Sequence, residues 1–162
     1  MNRKPIYSWD ATVFIAWLKE EESPDLVGID LVANLIDAGE VVLVVSVTAY
    51  SEVLETQHSP EQMDKFRRFH DRSNIVLANT TTVIAERAGT IRARGQQDRP
   101  NKRQIKTPDA TFLAAAIIHK ADEFHTLDDQ LLKLNGLPIV DGLKICKPAV
   151  KDSLFGNTAD SK

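Results

Sequence analysis

Four acidic residues stand where predicted strands give way to helices, and together they would suit a metal ion. Asp10 ends the first apolar strand, and Asp128 follows the fourth strand. Glu52 lies just over one turn into the helix after the second strand, and Asp109 lies in the first turn of an apolar helix. Divalent cations such as Mg²⁺ take oxygen ligands, usually a few carboxylates with waters and phosphates. Carboxylates gathered without basic partners repel one another, so a cation is the expected reason for gathering them.

Each acid also has an interpretation as a helix-capping residue. Aspartate is a preferred N-cap, and any acid in a first turn interacts favourably with the helix dipole. Ser23-Pro24-Asp25 has the same form as Thr107-Pro108-Asp109, yet nothing else marks Asp25 as functional. Glu52 does not fit a capping box, because it follows Thr48 by four residues rather than three. The set of four therefore favours a metal site more strongly than any single member does.

The alternation of short apolar strands with helices predicts the scaffold that positions these acids. Strands are predicted at residues 5–10, 41–46, 75–78, 123–126 and 137–140, with helices between them and a polar loop at 95–106. Parallel strands need crossover helices, so this order predicts an α/β fold. We expect a three-layer α/β/α sandwich around a mainly parallel sheet of about five strands. Carboxyl ends of parallel strands share one edge, where such folds bind their ligands.

Composition limits the classes of protein that fit. The 162 residues are predicted to form one domain over 1–151 with a polar tail at 152–162. A net charge of −3 excludes a polycation that coats nucleic acid. The single Cys146 excludes a disulfide framework and a cysteine-based zinc site, and it favours the cytoplasm. The four histidines lack metal-ligand spacing and are predicted to be surface or packing residues, and no apolar run suits a membrane span.

One stretch is strongly basic and leads directly to Asp109. Between Arg87 and Lys106 it contains seven basic residues against the single acid Asp98: Arg87, Arg92, Arg94, Arg99, Lys102, Arg103 and Lys106. Such a stretch is either a solvated loop and helix face or a surface that contacts phosphates, and the sequence leaves both open. Arg103 and Lys106 are the candidate substrate-binding residues here because they are nearest to Asp109 in sequence.

The chain resembles PIN-domain nucleases of the VapC-like toxin group over roughly residues 5–141. The resemblance rests on four short motifs in the right order: Asp10-Ala11-Thr12 after an apolar strand, Ser46 with Glu52 six residues on, Pro108-Asp109-Ala110, and Thr126-Leu127-Asp128. Two positions depart from the pattern of the family. Ala11 stands where a hydroxyl is usual, and Thr12 replaces Asn or Ser but keeps a hydroxyl that could orient a ligand or a phosphate.

The resemblance implies an endoribonuclease that depends on Mg²⁺ or Mn²⁺ and cuts single-stranded RNA. The implied catalytic and metal-binding residues are Asp10, Glu52, Asp109 and Asp128, with Glu52 ligating or orienting the attacking water. Thr12 and Thr126 join Arg103 and Lys106 as expected substrate-binding residues.

The expected partners are RNA, a cognate antitoxin and a second copy of the chain, with exposed Trp17 or Phe66 on the N-terminal helices as candidate contacts. An alternative is a catalytically silent PIN-like scaffold that binds RNA or protein, against which the four acids argue. An Asp-x-Asp phosphatase is excluded because Thr12 stands at the second acid, and no glycine-rich phosphate loop is present.

Overall fold

The computed structural model describes residues 2–98 and 102–149. The predicted domain boundary at 151, the tail at 152–162 and Arg99 lie outside these residues. The strands are β1 (Ile6–Trp9), β2 (Val42–Ser46), β3 (Ile75–Ala78), β4 (Glu123–His125) and β5 (Ile145–Cys146). The helices are α1 (Ala11–Lys19), α2 (Pro24–Asp37), α3 (Val47–Glu55), α4 (Pro60–Phe69), α5 (Thr82–Gln97), α6 (Thr107–Ile118) and α7 (Asp129–Leu132). Within the described chain, no helix combines the length and the apolar character that crossing a membrane requires.

All five strands pair in parallel, in the order β3-β2-β1-β4-β5. Successive side chains of a strand point to opposite faces of the sheet. Tyr7, Ser8 and Trp9 of β1 are all buried, as are residues 43–46 of β2, so helices cover both faces. The predicted three-layer α/β fold with a parallel sheet is therefore confirmed.

Aromatic side chains behind β1 form the rigid part of the core. The ring of Trp9 lies 5.1 Å from that of Phe14 and 6.1 Å from that of Phe69. Trp17 and Phe66 join this cluster and expose only 7% and 0% of their surface. The suggestion that one of these two is exposed for a partner is therefore wrong, because both rings pack into the core.

The fifth strand lies later in the chain than the sequence predicted. Residues 138–140 form a 3-10 turn, in which the Val140 amide donates to Leu137 O at 3.1 Å. Pro138 has a fixed φ and no amide hydrogen, which suits the start of such a turn. The fifth strand is instead Ile145–Cys146, which pairs with β4 at one edge of the sheet. It is only two residues long, too short to give a periodic signal.

The predicted loop at 95–106 begins as helix. Helix α5 continues to Gln97, and Asp98 and residues 102–106 then have no regular structure. Gly95 allows the returning segment to cross α5 closely: its carbonyl accepts the Arg103 amide at 2.8 Å, and a Cβ at this position would lie 2.7 Å from Arg103 O. This contact holds the segment 102–106, which leads into α6, against the C-terminal end of α5.

Candidate active site

Asp10 follows β1 directly and caps α1. Its Oδ1 accepts the Val13 amide at 3.3 Å, and its own amide donates to His125 O at 3.3 Å, which ties it to β4. The side chain is almost fully buried, with only 2% of the residue exposed. The capping interpretation of Asp10 is correct, but capping alone does not require burial of the carboxylate.

Two threonine hydroxyls hold the Asp10 carboxylate from both sides. Thr12 Oγ1 donates to Oδ1 and Thr126 Oγ1 donates to Oδ2, each at 2.5 Å. The hydroxyl oxygens in turn accept backbone amides at 3.0 Å, from Leu127 to Thr12 and from Asp128 to Thr126. These amides orient both hydroxyl hydrogens toward Asp10, so the threonines fix the carboxylate in one orientation. Their expected contact with substrate stays a prediction.

The other three acids reach the same edge of the sheet from three different helices. Asp128 caps α7 by accepting the Gln130 amide at 2.8 Å, and Asp109 lies in the first turn of α6. Glu52 is half-buried on α3, whose N-cap is Ser46, so Glu52 lies six residues after the cap and plays no part in capping. The capping interpretation thus applies to Asp128 and fails for Glu52.

The pKa values show that the four carboxyl groups interact with one another. Burial raises the pKa of Asp10 from 3.8 to about 6; the hydroxyls of Thr12 and Thr126 oppose this rise, and the charge of Asp109 adds to it. Burial also raises the pKa of Glu52, and the charges of Asp109 and Asp10 raise it further. The structure therefore brings Asp10, Glu52 and Asp109 into one electrostatic cluster.

Asp128 joins the cluster through Asp109. The pKa of Asp109 is raised by burial and then by the charge of Asp128, while Lys106 lowers it. Lys106 also lowers the pKa of Glu52. Among the described residues, it is the one basic residue that changes the pKa of Asp10, Glu52 or Asp109. A set of oxygen ligands with so little compensating charge fits a hard divalent cation.

The position of the cluster in the sheet agrees with its use as a binding site. Strand β1 lies between β2 and β4. The chain first extends the sheet on one side of β1 with β2 and β3, and then on the other side with β4 and β5, so the direction in which strands are added reverses between β1 and β4. In open α/β sheets, ligands bind in the crevice that such a reversal opens beyond the carboxyl ends of the strands. Asp10 after β1 and Asp128 after β4 lie on the two sides of this crevice.

A second group of possible ligand atoms lies elsewhere on the sheet. Among the described residues, Glu123, His125 and Cys146 form the set of three whose ligand atoms lie within 4.8 Å of one another. His125 Nδ1 accepts the indole N–H of Trp9 at 3.1 Å, and its Nε2 donates to Glu123 at 2.8 Å. Lys144 also reaches Glu123, at 3.2 Å. The sequence predicted packing histidines, and His125 is indeed buried; it did not predict that Cys146 lies beside Glu123.

Much of the basic stretch serves the fold rather than an open surface. Arg87 and Arg94 both pair with Asp141, and Arg92 donates to the Ile105 carbonyl at 3.0 Å. These arginines join α5 to the segment that precedes α6 and to Asp141, which follows the 3-10 turn after α7. The interpretation of the basic stretch as a surface that contacts phosphates therefore applies only to its C-terminal part, residues 102–106.

Residues 102–106 place their basic groups next to the acids. Lys106 acts electrostatically on Glu52 and Asp109, and Arg103 is held by Asp98 at 2.9 Å. Lys102 and Arg103 line an open cleft whose wall includes Asp109. The proposed role of Arg103 and Lys106 in substrate binding stays a prediction.

Two residues on this cleft escaped the sequence reasoning, Gln130 and Lys133. Both belong to the segment just after Asp128, and their spacing of three residues places them on one side of a helical turn. That spacing was the available signal. It is a weak signal because both residues lie outside the continuous basic stretch that precedes Asp109.

Fold and site together define a parallel α/β protein with a carboxylate cluster at its topological switch point. Residues 7–137 match the model of the PIN domain family, and this chain belongs to that family. A search of curated protein sequences gave no significant match.

Several solved structures share the fold at low sequence identity. VapBC2 from Rickettsia felis, solved with a DNA fragment from its promoter, aligns with a TM-score of 0.61 and 15% identity, covering 86% of this chain and 96% of that one. VapBC-1 from nontypeable Haemophilus influenzae gives 0.58 and 17%, covering 86% and 96%. VapC20 from Mycobacterium tuberculosis, described as a sarcin–ricin loop cleaving toxin, gives 0.56 and 13%, covering 78% and 94%.

Proposed function

We propose that this protein is an endoribonuclease that uses Mg²⁺ or Mn²⁺ to hydrolyse phosphodiester bonds of single-stranded RNA. The observation that carries the proposal is the cluster of Asp10, Glu52, Asp109 and Asp128, which repel one another at the switch point of the sheet. Membership of the PIN domain family supports a nuclease, and the cleaving activity named for the M. tuberculosis relative supports RNA as the substrate.

Each residue of the acid cluster has a separate role in the proposed hydrolysis. Asp10, Asp109 and Asp128 would hold the cation, and the two threonine hydroxyls keep the Asp10 oxygens in place. When bound, a divalent cation lowers the pKa of a water and offsets charge on the phosphodiester. Glu52, whose pKa burial raises, accepts a proton from the attacking water. The water oxygen bonds to phosphorus as the P–O3′ bond breaks, the leaving 3′-oxygen takes a proton from solvent and Glu52 returns its proton to solvent, which leaves a 5′-phosphate and a 3′-hydroxyl.

Replacement of Asp10 by Asn tests the assignment most directly. We expect cleavage of a labelled single-stranded RNA to fall by roughly 10³-fold, about 4 kcal/mol of transition-state stabilisation, because a buried ligand is lost. The measurement is a titration of the parent and Asp10→Asn proteins with Mg²⁺ and Mn²⁺.

The control is Asp25→Asn, since Asp25 is also an aspartate at the start of a helix, α2, but pairs with Lys147 and lies outside the acid cluster. Equal cleavage by Asp10→Asn and the parent, or full activity of the parent in EDTA, would refute the assignment. A parent protein that binds RNA and cuts none with either metal would favour the silent scaffold.

The same proposal includes a role as the toxin of a toxin–antitoxin pair in the cytoplasm. The structural relatives include VapBC assemblies and a toxin–antitoxin complex from Klebsiella pneumoniae, and they support a protein antitoxin as partner. A homodimer is proposed on the family resemblance. Growth arrest on expression, relieved by a small open reading frame next to the gene, tests the pairing, and light scattering of the purified chain tests the dimer.

A further inference from the structure

An open cleft of about 580 Å³ lies directly beside the acid cluster. One wall is formed by residues 102–105 before α6, and the other by residues 130–134 on and after α7. Asp109 lines the cleft and also belongs to the acid cluster. A ligand that occupies the cleft would therefore continue directly into the proposed active site.

The apolar part of the cleft lining, called its floor here, consists of buried residues. Ile105, Leu131 and Leu134 line it, and they expose only 7%, 3% and 2% of their surface because they belong to the core. Its volume lies in the roughly 300–1,000 Å³ range typical of small-molecule sites. A cleft of this volume with an apolar floor suits the flat face of one base. The side-chain amides of Gln104 and Gln130, which also line the cleft, can bond to base edges.

The rim of the cleft is cationic. Lys102 and Lys133 are exposed, and neither forms an ion pair with another residue in the described ranges 2–98 and 102–149. Arg103 completes the rim, fixed through its Nε by Asp98 at 2.9 Å. Positive charge beside an acid cluster, in a chain of net charge −3, favours a ligand that carries negative charge at this one place.

We infer that this cleft is a subsite for one unpaired nucleotide of the RNA, adjacent to the phosphate that is cut. Lys102 and Lys133 contact the flanking phosphates, the base lies on the apolar floor, and Gln130 contacts the base edge. The inference rests on the proposed function for the identity of the ligand. It explains why a base in a duplex would be excluded, since a paired base cannot reach the floor.

The test is the salt dependence of binding without cleavage. A short fluorescein-labelled oligouridylate is titrated with the double variant Lys102→Gln/Lys133→Gln in EDTA, in both the parent and Asp10→Asn backgrounds. Loss of two phosphate contacts should make the slope of log K against log salt shallower by about 1.4, since each contact on a single strand contributes about 0.7. Gln130→Ala should leave the slope unchanged and alter the ratio of affinities for oligouridylate and oligoadenylate.

The control is Lys4→Gln/Lys120→Gln, which removes the same charge from exposed positions that precede β1 and β4 at the opposite edge of the sheet. An unchanged slope in the cleft variant, or an equal change in the control, overturns the inference. Binding of polyglutamate that depends on the cleft lysines, with unchanged RNA binding, assigns the cleft to an acidic protein and also overturns it.

Cleavage by the parent protein is measured separately, so the two proposals fail independently. If the parent cuts RNA and the cleft variant keeps the parent slope, only the subsite is wrong. If the parent cuts no RNA and the slope still changes as expected, the subsite stands and the catalytic proposal is wrong.

Discussion

Two carboxyl groups are buried in neighbouring parts of the sheet, and the structure compensates them in opposite ways. Glu123 in β4 receives the Lys144 ammonium at 3.2 Å and the His125 Nε2 at 2.8 Å. From the residues that the structure describes, Asp10 after β1 receives only uncharged donors, the hydroxyls of Thr12 and Thr126 and the amide of Val13. An ion pair satisfies Glu123 within the protein, whereas the charge of Asp10 is left for something else to balance.

This difference separates a structural acid from a candidate ligand more clearly than burial does. Asp10 and Glu123 expose 2% and 4% of their surface, so burial alone would treat them alike. Burial raises the pKa of Asp10, Glu52 and Asp109, and the charges of other acids raise it further, so the folded chain keeps these acids together at a cost. A bound cation would remove that cost.

The largest expected effect is a loss of stability as pH rises. The pKa of Asp10 is about 6 in the folded protein against 3.8, so between these values the folded state binds more protons than the unfolded state. The free energy of unfolding should therefore fall by about 3 kcal/mol between pH 3 and pH 7, in the absence of metal. Urea unfolding across this range measures the fall.

The Asp10→Asn protein isolates this contribution, since the amide does not titrate. It should lack that part of the fall. If the parent and the variant show the same pH dependence, then Asp10 is not the group responsible and the contrast with Glu123 is lost.

The second-largest effect is expected from Mg²⁺, whose addition should restore stability at neutral pH. A ligand that binds only the folded state at a hundredfold excess over its Kd stabilises by about 2.7 kcal/mol. We expect Mg²⁺ to raise the melting temperature of the parent at pH 7.5 and to have little effect on Asp10→Asn. An equal rise in both proteins would point to a cation site elsewhere, and Glu123→Gln then shows whether that site is the Glu123–His125–Cys146 group.

Amide substitutions at the two buried acids should change stability in opposite directions. Glu123→Gln removes the ion pair with Lys144 and should lower the free energy of unfolding by about 2 kcal/mol. Asp10→Asn removes a charge without a cationic partner and should raise it at pH 7.5. Chemical denaturation of both variants under one condition makes the comparison, and a change of the same sign in both would contradict it.

The smallest effect is expected from the hydroxyl of Thr126. Thr126→Val removes a donor to Asp10 and an acceptor for the Asp128 amide while keeping the size of the side chain. We expect cleavage to fall by about tenfold, in line with other residues that orient a metal ligand. Thr126→Ser keeps the hydroxyl and should recover most of the activity; equal loss in both variants would show that packing is responsible.

Local patterns predicted most of the fold. The β-branched run before Ser46 and the apolar helix after Asp109 were assigned correctly because each is long enough to show its periodicity or its burial. The two-residue β5 and the extension of α5 to Gln97 were missed. In both cases a contact outside the element itself accompanies the structure: β5 pairs with β4, and the last turns of α5 contact the returning chain at Gly95.

Order and residue type also predicted which acids belong together, but not how they are held. The sequence placed Asp10, Glu52, Asp109 and Asp128 at strand and helix ends, and parallel pairing implied a common edge. It gave no sign that Thr12, in the first turn of α1, and Thr126, just after β4, would bond to the same carboxylate. Nor did it show that most arginines of the basic stretch are used by the fold.

Sequence alone therefore determined the strand–helix alternation, the parallel sheet and the identity of the acid set, because these follow from local pattern and chain order. The tertiary structure decided which charges are balanced. Within the described part of the chain, Glu123 meets Lys144 and His125 while Asp10 meets only hydroxyls and an amide, and Lys133 comes to line the same cleft as Lys102. Compensation of a buried charge depends on distances between residues far apart in the chain, and those distances exist only once the sheet has formed.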